Sequence, residues 1–283
     1  MQPNFLSIGA AKCATSTISA LIGQHPDVFM VSKEVSFFSD DEIYAKGFDW
    51  YESLFDNAGG VKMRGEGSNR YTMKEVFPNA VSRIISYTTD LKLIYIVRNP
   101  IARIASHWIE KRSHGGEDVH YDFNKAVRIN REWLVDSSNY WQQINVFRSH
   151  FSDERIHIIF YEDFKTDQGT VMRRCFEFLN VDPDVPLVEP NIHLNPSTGK
   201  QVPINFLSRL RSYSLYRYGV EIIPKPWRDP LRKRFLFKEV KGRPQWSLEA
   251  REWVADVLET DTRRFLEYYG KPKDFWKLRD VGY

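Results

Sequence analysis

Residues 5–17 read FLSIGAAKCATST, and this stretch decides the fold class. Its first four residues are an apolar run that predicts a short buried strand, and residues 9–14 predict a loop of small side chains. A helical pattern then runs from Thr15 to Gln24 and stops near Pro26. A strand that passes through a tight loop into a helix is the first unit of an α/β fold.

The same order of elements occurs again further along the chain. Leu91 to Val97 predicts a buried strand, and a helical pattern continues from Pro100 to about Arg112. Asn99 is suited to capping that helix, and proline is favoured at the first helical position. The sequence therefore holds a second strand–loop–helix unit, in which Arg98 follows the strand directly.

The remaining periodic segments extend this alternation. Residues 155–161 predict a third strand between helical patterns at 138–151 and 168–179, and residues 248–268 predict a final amphipathic helix. Strands that alternate with helices indicate an α/β fold with a central parallel sheet flanked by helices. Ligands of such folds bind at the carboxyl ends of the strands.

Composition narrows the class of protein. The chain has 283 residues, 42% hydrophobic and 27% charged, with a formal net charge of +3, which excludes a disordered protein and disfavours a dedicated nucleic-acid binder. We expect one domain over residues 1–283, in which 203–240 is a basic, aromatic-rich insertion or lid. No targeting signal or membrane-spanning run is evident, and the two cysteines suit a reducing compartment, so a cytoplasmic location is predicted.

The first loop has the chemistry of an anion site. Small residues let the backbone wrap an oxyanion, the start of the helix offers free N–H groups, and Thr15, Ser16 and Thr17 add hydroxyl donors. Lys12 supplies a positive charge. The order of residues is not that of a Walker A motif, which needs a second glycine followed by Lys and Ser or Thr. A tight turn in any α/β protein is the structural alternative.

The second loop indicates which kind of anion binds. A nucleoside triphosphate enzyme is expected to place an acidic residue for magnesium after such a strand, whereas this chain places Arg98 there. Arg98 and Ser106, eight residues later, are suited to holding a second phosphate. Their structural alternatives are a surface ion pair for Arg98 and a helix-face position for Ser106.

These residues carry a resemblance to a known family. The loop 9–17, the segment 97–108 and the run Lys241-Gly242-Arg243 together resemble sulfotransferases that use 3′-phosphoadenosine 5′-phosphosulfate (PAPS). The similarity is greatest to the carbohydrate branch, the heparan-type enzymes and their bacterial relatives, in KEVSFF at 33–38 and GFDWY at 47–51. It implies the sulfotransferase fold, with a P-loop-like loop for the phosphosulfate.

The resemblance also implies roles for individual residues. The donor would be PAPS and the product 3′-phosphoadenosine 5′-phosphate (PAP), with no metal required. Position by position, the residues assigned to the 5′-phosphosulfate are Lys12, Ala14, Thr15, Ser16 and Thr17; those assigned to the 3′-phosphate are Arg98, Ser106, Lys241, Gly242 and Arg243; and Tyr161 is assigned to the adenine.

Glu34 falls at the position of the catalytic base in the carbohydrate branch. A hydroxyl or amine acceptor must lose a proton as sulfur is transferred, and a carboxylate after the first unit is suited to take it. Lys12 would offset charge that grows on the bridging oxygen of the leaving nucleotide. Without the family, Glu34 is a charged loop residue. His107 and His25 are rival bases and rank below it.

Two departures from the family pattern bear on these expectations. The loop commonly carries glycine where this chain has Ala14, so either the backbone there does not need a positive φ or the loop is shifted. Glu66-Gly67-Ser68 lies where heparan-type enzymes often have Glu-Lys-Ser, so a lysine near the sulfate is missing at Gly67. The second departure weakens the transfer of substrate detail from those enzymes.

Three functions remain open from the sequence. The first is sulfuryl transfer to a hydroxyl or amine of a small metabolite or glycan, with acceptor contacts from residues such as Trp50, Tyr51, Arg70 and His114. The second is a P-loop-type small-molecule kinase that uses ATP and magnesium. The third is a non-catalytic module that binds a nucleotide or another anion. No role in nucleic-acid binding is expected.

Overall fold

The computed structural model describes residues 1–32, 34–114, 119–189, 194, 200–203, 237–239 and 242–280. The described strands are β1 (Phe5–Gly9), β2 (Val28–Met30), β3 (Met63–Gly67), β4 (Lys92–Val97), β5 (Ile156–Phe160), β6 (Gln201–Pro203) and β7 (Phe237–Glu239). The described α-helices are α1 (Thr15–Ile22), α2 (Asp41–Tyr44), α3 (Gly47–Ser53), α4 (Ala80–Tyr87), α5 (Pro100–Ser113), α6 (Phe123–Ile129), α7 (Arg131–Leu134), α8 (Tyr140–Arg148), α9 (Tyr161–Thr166), α10 (Gln168–Leu179) and α11 (Leu248–Tyr268).

Five of the strands form one parallel sheet in the order β2-β3-β1-β4-β5. The predicted α/β class and parallel sheet are therefore confirmed. β6 and β7 pair antiparallel to each other in a separate small sheet. Sequence analysis missed β2 and β3, because β2 has only three residues and β3 reads MRGEG, which has little apolar character.

The two central strands are buried along almost their whole length. Every residue of β1 is buried, as are five of the six residues of β4. At Gly65, in β3, a side chain has no space, because a Cβ there would lie 2.4 Å from the Phe5 ring. Gly65 thus lets an aromatic ring of β1 pack directly on its neighbouring strand, which fixes the pairing of the two strands.

The order of strands creates a crevice at one edge of the sheet. From β1 the chain leads towards β3 and β2, whereas from β4 it leads towards β5 on the other side. Connections that diverge from two adjacent parallel strands leave an open cleft at the carboxyl ends of those strands. The loop that contains Lys12 follows β1, and Arg98 follows β4, so both lie at this cleft. The Ala10 N–H donates to the Ile96 carbonyl at 2.7 Å and ties the two ends together.

The loop after β1 turns through two residues in the left-handed region. Lys12 has φ 70° and Ala14 has φ 64°, and Ala14 directly precedes α1. Of the two alternatives left open for this position, the first, that the backbone at Ala14 does not need a positive φ, is therefore wrong. An L-residue in this region carries strain of about 1–2 kcal/mol that glycine does not have.

Some of the predictions fall on residues that the structure does not describe. Lys33 and Lys241 lie outside the described residues, as does nearly all of the basic segment, 204–236. The single-domain organisation and the lid stay predictions. Of the helices in the described ranges, none combines the length and the apolar character needed to span a bilayer.

The strain at Ala14 predicts an unusual response to glycine. Ala14→Gly should leave the free energy of unfolding unchanged or raise it by up to about 1 kcal/mol, because relief of the strain offsets the entropy of the added glycine. In the matched control Ala20→Gly, in the interior of α1, we expect a loss of about 1 kcal/mol. Chemical denaturation measures both. Equal losses in the two variants would contradict the strain at Ala14.

Candidate functional site

Arg98 is held at the carboxyl end of β4 by uncharged groups. Its guanidinium carbon lies 4.7 Å from the centre of the Tyr161 ring, and one of its nitrogens lies 3.4 Å from the Lys12 carbonyl and 3.5 Å from Ser106 Oγ. Among the described residues, no carboxylate forms an ion pair with Arg98. The surface ion pair considered for Arg98 is therefore not found in the described part of the chain.

Two side chains from other elements fix the backbone around Arg98. The Tyr140 hydroxyl, from α8, donates to the Arg98 carbonyl at 2.7 Å. A Glu162 carboxylate oxygen, from α9, accepts from the Asn99 N–H at 2.8 Å. Asn99 caps α5 as predicted, since its side chain accepts from the Ala102 N–H, and Pro100 is the first residue of that helix. The turn that presents Arg98 is thus rigidly supported.

Arg243 lies close to Arg98, although it is 145 positions later in the chain. Partial burial lowers the pKa of Arg243, and the positive charge of Arg98 lowers it further, while Tyr161 acts in the opposite sense. Gly242 is exposed beside it. The structure therefore brings together Arg98, Ser106, Tyr161 and Arg243, which the sequence resemblance grouped around one nucleotide. Two arginines close enough for their charges to act on each other are typical of a site for an anion.

Tyr161 occupies a different element from the one predicted. It begins α9 instead of ending β5, and it is half-buried. The strand ends at Phe160 and the helix starts at once, so that its first turn places Glu162 against the Asn99 N–H. This position leaves one face of the tyrosine ring against Arg98.

The hydroxyls at the start of α1 differ in their surroundings. Thr15 and Thr17 are buried, and Ser16 is half-buried. Thr17 Oγ1 accepts a hydrogen bond from the Leu194 N–H at 3.0 Å, so this hydroxyl also contacts a residue 177 positions later in the chain. All three residues follow the left-handed turn at Ala14, which aims the first turn of α1 into the crevice.

Lys12 forms an ion pair inside the crevice. Its Nζ lies 2.7 Å from a Glu110 carboxylate oxygen, and only 12% of its side chain is exposed. Burial lowers the pKa of Lys12, the hydrogen bond to Glu110 opposes this, and the positive charges of Lys200 and Arg98 lower it further. Lys200 forms a second ion pair with the same Glu110 oxygen. Lys12 and Lys200 thus share the carboxylate of Glu110, which α5 presents beside the first loop.

Sequence analysis did not single out Glu110 or Lys200. Glu110 lies four residues after Ser106 in α5, hence on the same face of that helix, and this spacing was a signal that could have found it. Burial acts to raise the pKa of Glu110, but the hydrogen bonds from Lys12 and Lys200 outweigh it and the pKa is lowered. Lys200 directly precedes β6, which packs on α5, and no local pattern indicates this contact.

Glu34 lies near Glu110 and is held by the segment after β3. Its carboxylate accepts from the Asn69 N–H at 2.8 Å and from the Asn69 side chain at 3.4 Å. The residue is exposed, yet surrounding atoms remove part of its hydration, which raises the pKa of the carboxyl. Asn69 and Arg70 oppose this rise, and the negative charge of Glu110 adds to it. A carboxyl with a raised pKa is suited to accepting a proton.

Glu66, in β3, is a buried carboxylate that sequence analysis quoted only as part of a motif. It is fully buried and accepts hydrogen bonds from Ser68 Oγ at 2.7 Å, from the Tyr71 hydroxyl at 2.7 Å and from the Tyr51 hydroxyl at 3.4 Å. Burial raises its pKa to about 7, the three hydroxyls oppose this, and Glu34 adds to it. The position after it, Gly67, has restricted space, since a Cβ there would lie 3.1 Å from Ser19 Oγ.

The two histidines considered as rival bases are engaged in the interior. His107 is buried and its Nδ1 lies 3.2 Å from an Arg103 nitrogen, while burial lowers its pKa well below the usual value. His25 is buried, and its Nδ1 accepts from the Asp27 N–H at 3.0 Å while its Nε2 lies 3.0 Å from the Asp182 carbonyl. Because both rings are buried in the interior, neither is placed to take a proton from a substrate.

The suggestion that Tyr51 contacts the acceptor is wrong. Tyr51 is fully buried and stacks on Phe37 with ring centres 4.3 Å apart, so it belongs to the core. Trp50 is half-buried under Lys46, while Arg70 and His114 retain exposed surface.

Comparison with known proteins gives one family and a consistent set of relatives. The profile described as "Sulfotransferase domain" matches residues 2–210. The chain is 26% identical over 206 residues to heparan sulfate glucosamine 3-O-sulfotransferase 5 of Mus musculus. This alignment covers 70% of this chain and 58% of that protein. It is 27% identical over 205 residues to the mouse bifunctional heparan sulfate N-deacetylase/N-sulfotransferase 4, which covers 64% of this chain and 22% of that protein.

A solved structure shares the fold over almost the whole chain. The crystal structure of a sulfotransferase from Alicyclobacillus acidocaldarius aligns with a TM-score of 0.67 at 20% identity, and covers 98% of this chain and 99% of that one. The match to the curated relatives is shorter, because the aligned region spans from about a fifth to three fifths of their length.

Burial of Glu66 predicts a pH-dependent stability. The folded protein holds the Glu66 proton more tightly than the unfolded chain, whose ordinary value is 4.5. Its stabilising contribution is complete below that pH and is lost as pH rises through about 7. Denaturation from about pH 4.5 to pH 8 should show wild type losing roughly 3 kcal/mol relative to Glu66→Gln. The raised pKa of Asp261, about 6, is common to both proteins and cancels. Parallel pH profiles would contradict this prediction.

Proposed function

The chain belongs to the sulfotransferase family, and we propose that it transfers a sulfuryl group from PAPS to a hydroxyl or amine of a glycan or small-molecule acceptor. One observation carries the proposal: the crevice gathers two separate cationic groups, Lys12 with Lys200 and Arg98 with Arg243. A donor that carries phosphate at its 3′ position and phosphosulfate at its 5′ position needs two such groups.

The residues fit the two ends of this donor. Arg98 and Arg243 would hold the 3′-phosphate, with Ser106 Oγ as a hydroxyl donor beside Arg98. The loop at Lys12 and Ala14 and the hydroxyls of residues 15–17 would hold the 5′-phosphosulfate. Tyr161 is suited to packing on the adenine. Lys241 and Gly242 are further candidates for binding the 3′-phosphate.

When bound there, the donor supplies the sulfuryl group for an in-line displacement and leaves as PAP. Glu34 takes the proton from the acceptor hydroxyl or amine as the new bond to sulfur forms. Lys12 offsets the negative charge that grows on the bridging oxygen as the old bond breaks. Glu110 keeps Lys12 oriented between turnovers through the ion pair at 2.7 Å.

The acceptor class follows from the relatives. Both matched curated proteins are named for heparan sulfate, and one of them for its glucosamine, so a glucosamine-containing glycan is the first acceptor to test. Gly67 stands where those enzymes often have a lysine. A Cβ added at this position would lie 3.1 Å from Ser19 Oγ. The missing lysine belongs to the surroundings of the sulfate, so its absence does not separate a glycan from a small-molecule acceptor.

Arg98→Ala tests the assignment of the donor. Calorimetric titration should show PAP binding about 100-fold more weakly to the variant, because a charge-assisted contact to the 3′-phosphate is lost. Adenosine 5′-phosphate, which lacks that phosphate, should change by less than about 3-fold. Arg263→Ala, on the exposed face of α11, is the matched control and should leave both affinities unchanged.

Two outcomes would overturn the donor assignment. One is equal binding of PAP and adenosine 5′-phosphate to wild type. The other is a preference for ATP with magnesium, which would return the chain to the kinase hypothesis.

Glu34→Gln tests the base. We expect kcat for sulfation to fall about 10²–10⁴-fold, because the amide takes up no proton, while the affinity for PAP stays unchanged. In wild type, kcat should fall at acid pH with a midpoint above the ordinary pKa of a glutamate, since partial burial raises the pKa of Glu34. Glu252→Gln, exposed on α11, is the matched control. Retained kcat in Glu34→Gln would assign the base elsewhere.

A further inference from the structure

The loop that carries Glu34, residues 34–39, is attached to the segment that follows β3. The Ser36 N–H donates to Ser68 Oγ at 2.8 Å. The Asn69 N–H donates to the Glu34 carboxylate at 2.8 Å, and the Phe38 N–H lies 3.5 Å from the Tyr71 hydroxyl oxygen. We call residues 34–39 the base loop. Its position depends on hydroxyl oxygens of the neighbouring segment.

The turn at the centre of the base loop needs this support. Ser36 has φ 57°, a left-handed conformation that a serine adopts at a cost in free energy. The Ser36 carbonyl accepts from the N–H groups of Ser39 and Asp40, which closes the turn, and Ser36 is itself buried. A buried N–H that loses its acceptor is strongly unfavourable. The hydrogen bond from Ser36 to Ser68 is therefore a main constraint on the turn.

Glu66 lies behind these hydroxyls and fixes their direction. Above about pH 7, where Glu66 is ionised, its carboxylate only accepts hydrogen bonds, so the Ser68 and Tyr71 hydroxyls, each 2.7 Å from it, must direct their hydrogens at Glu66. Their lone pairs are then left for the N–H groups of the base loop. In a glutamine at position 66 the amide oxygen would stay opposite the two tyrosine hydroxyls and the N–H₂ group would face Ser68, whose hydroxyl would then have to accept from it.

From this arrangement we propose that Glu66 is a positioning residue that acts through Ser68 and Ser36 to fix the base loop. The proposal rests on the proposed role of Glu34 as the base, and it assigns to Glu66 a task beyond stability. Glu66 touches no substrate, since it is fully buried. The charged or titratable groups around it are Tyr51 from α3, Tyr71 and Glu34.

The test combines amide hydrogen exchange with kinetics on the chain of 283 residues, both at about pH 8, where Glu66 is ionised. The variants are Glu66→Gln, Ser68→Ala and the double variant, with Val254→Ala in α11 as a control for lost stability remote from the base loop. The rate of hydrogen exchange at the Ser36 amide measures how readily the base loop opens, independently of whether the protein is catalytically active. Steady-state kinetics and PAP titration separate kcat from donor affinity.

We expect both single variants to speed exchange at the Ser36 amide by about 10-fold or more. Each should lower kcat by about 10- to 100-fold, because displacement of a reacting group by about an ångström has this effect, with PAP affinity unchanged within about 2-fold. The double variant should be no slower than Ser68→Ala, since the two residues act in series. Val254→Ala should change none of these.

Different results overturn different parts. The positioning role of Glu66 would be overturned if folded Glu66→Gln showed unchanged exchange at Ser36. It would also be overturned if the two single losses of kcat multiplied in the double variant. If Glu66→Gln does not fold, Ser68→Ala alone decides, because it leaves the carboxylate in place: unchanged exchange and kcat overturn the proposal. Failure of the proposed function is distinct: Glu34→Gln then retains full kcat while exchange at Ser36 still responds.

Discussion

The adjacency of β1 and β4 at the centre of the parallel sheet is the constraint on which the site depends. Both strands end at the same edge, and the chain leaves them in opposite directions, so the two following loops face each other across one crevice. The hydrogen bond from Ala10 to Ile96 joins the ends. Lys12 and Arg98, 86 positions apart in the chain, become neighbours only through this arrangement.

Sequence reasoning succeeded where local patterns are strong. The helices α10 and α11 have the predicted bounds, and β1 and β4 agree to within one residue, because apolar runs and helical periodicity are encoded locally. It failed at β3, whose glycines and charged residues give no strand pattern. β3 forms a strand because Gly65 leaves space for the Phe5 ring of β1, a tertiary contact that the pattern does not contain.

The site divides in the same way. Sequence reasoning could find Lys12 and Arg98 because each follows a predicted strand. It could find Ser106 because this residue lies in the predicted helix after Arg98. Glu110 and Lys200 are linked by a side-chain contact across 90 positions, which no spacing in one sequence reveals. Glu66 was visible as a residue, but its burial among three hydroxyls depends on the packing of Tyr51 and Tyr71 around β3.

The two halves of the crevice differ in how their positive charge is balanced. Lys12 and Lys200 already share Glu110, whereas in the described residues Arg98 is met by a carbonyl, a hydroxyl and an aromatic ring. An anion that enters at Arg98 therefore gains a partner without displacing one, while an anion at Lys12 competes with a carboxylate. Under the proposed function, binding energy from the 3′ end of PAPS would hold the donor, and attraction to Lys12 would grow most when charge develops on the bridging oxygen. Such a division favours the transition state over the bound ground state, which is what a transferase requires of its lysine.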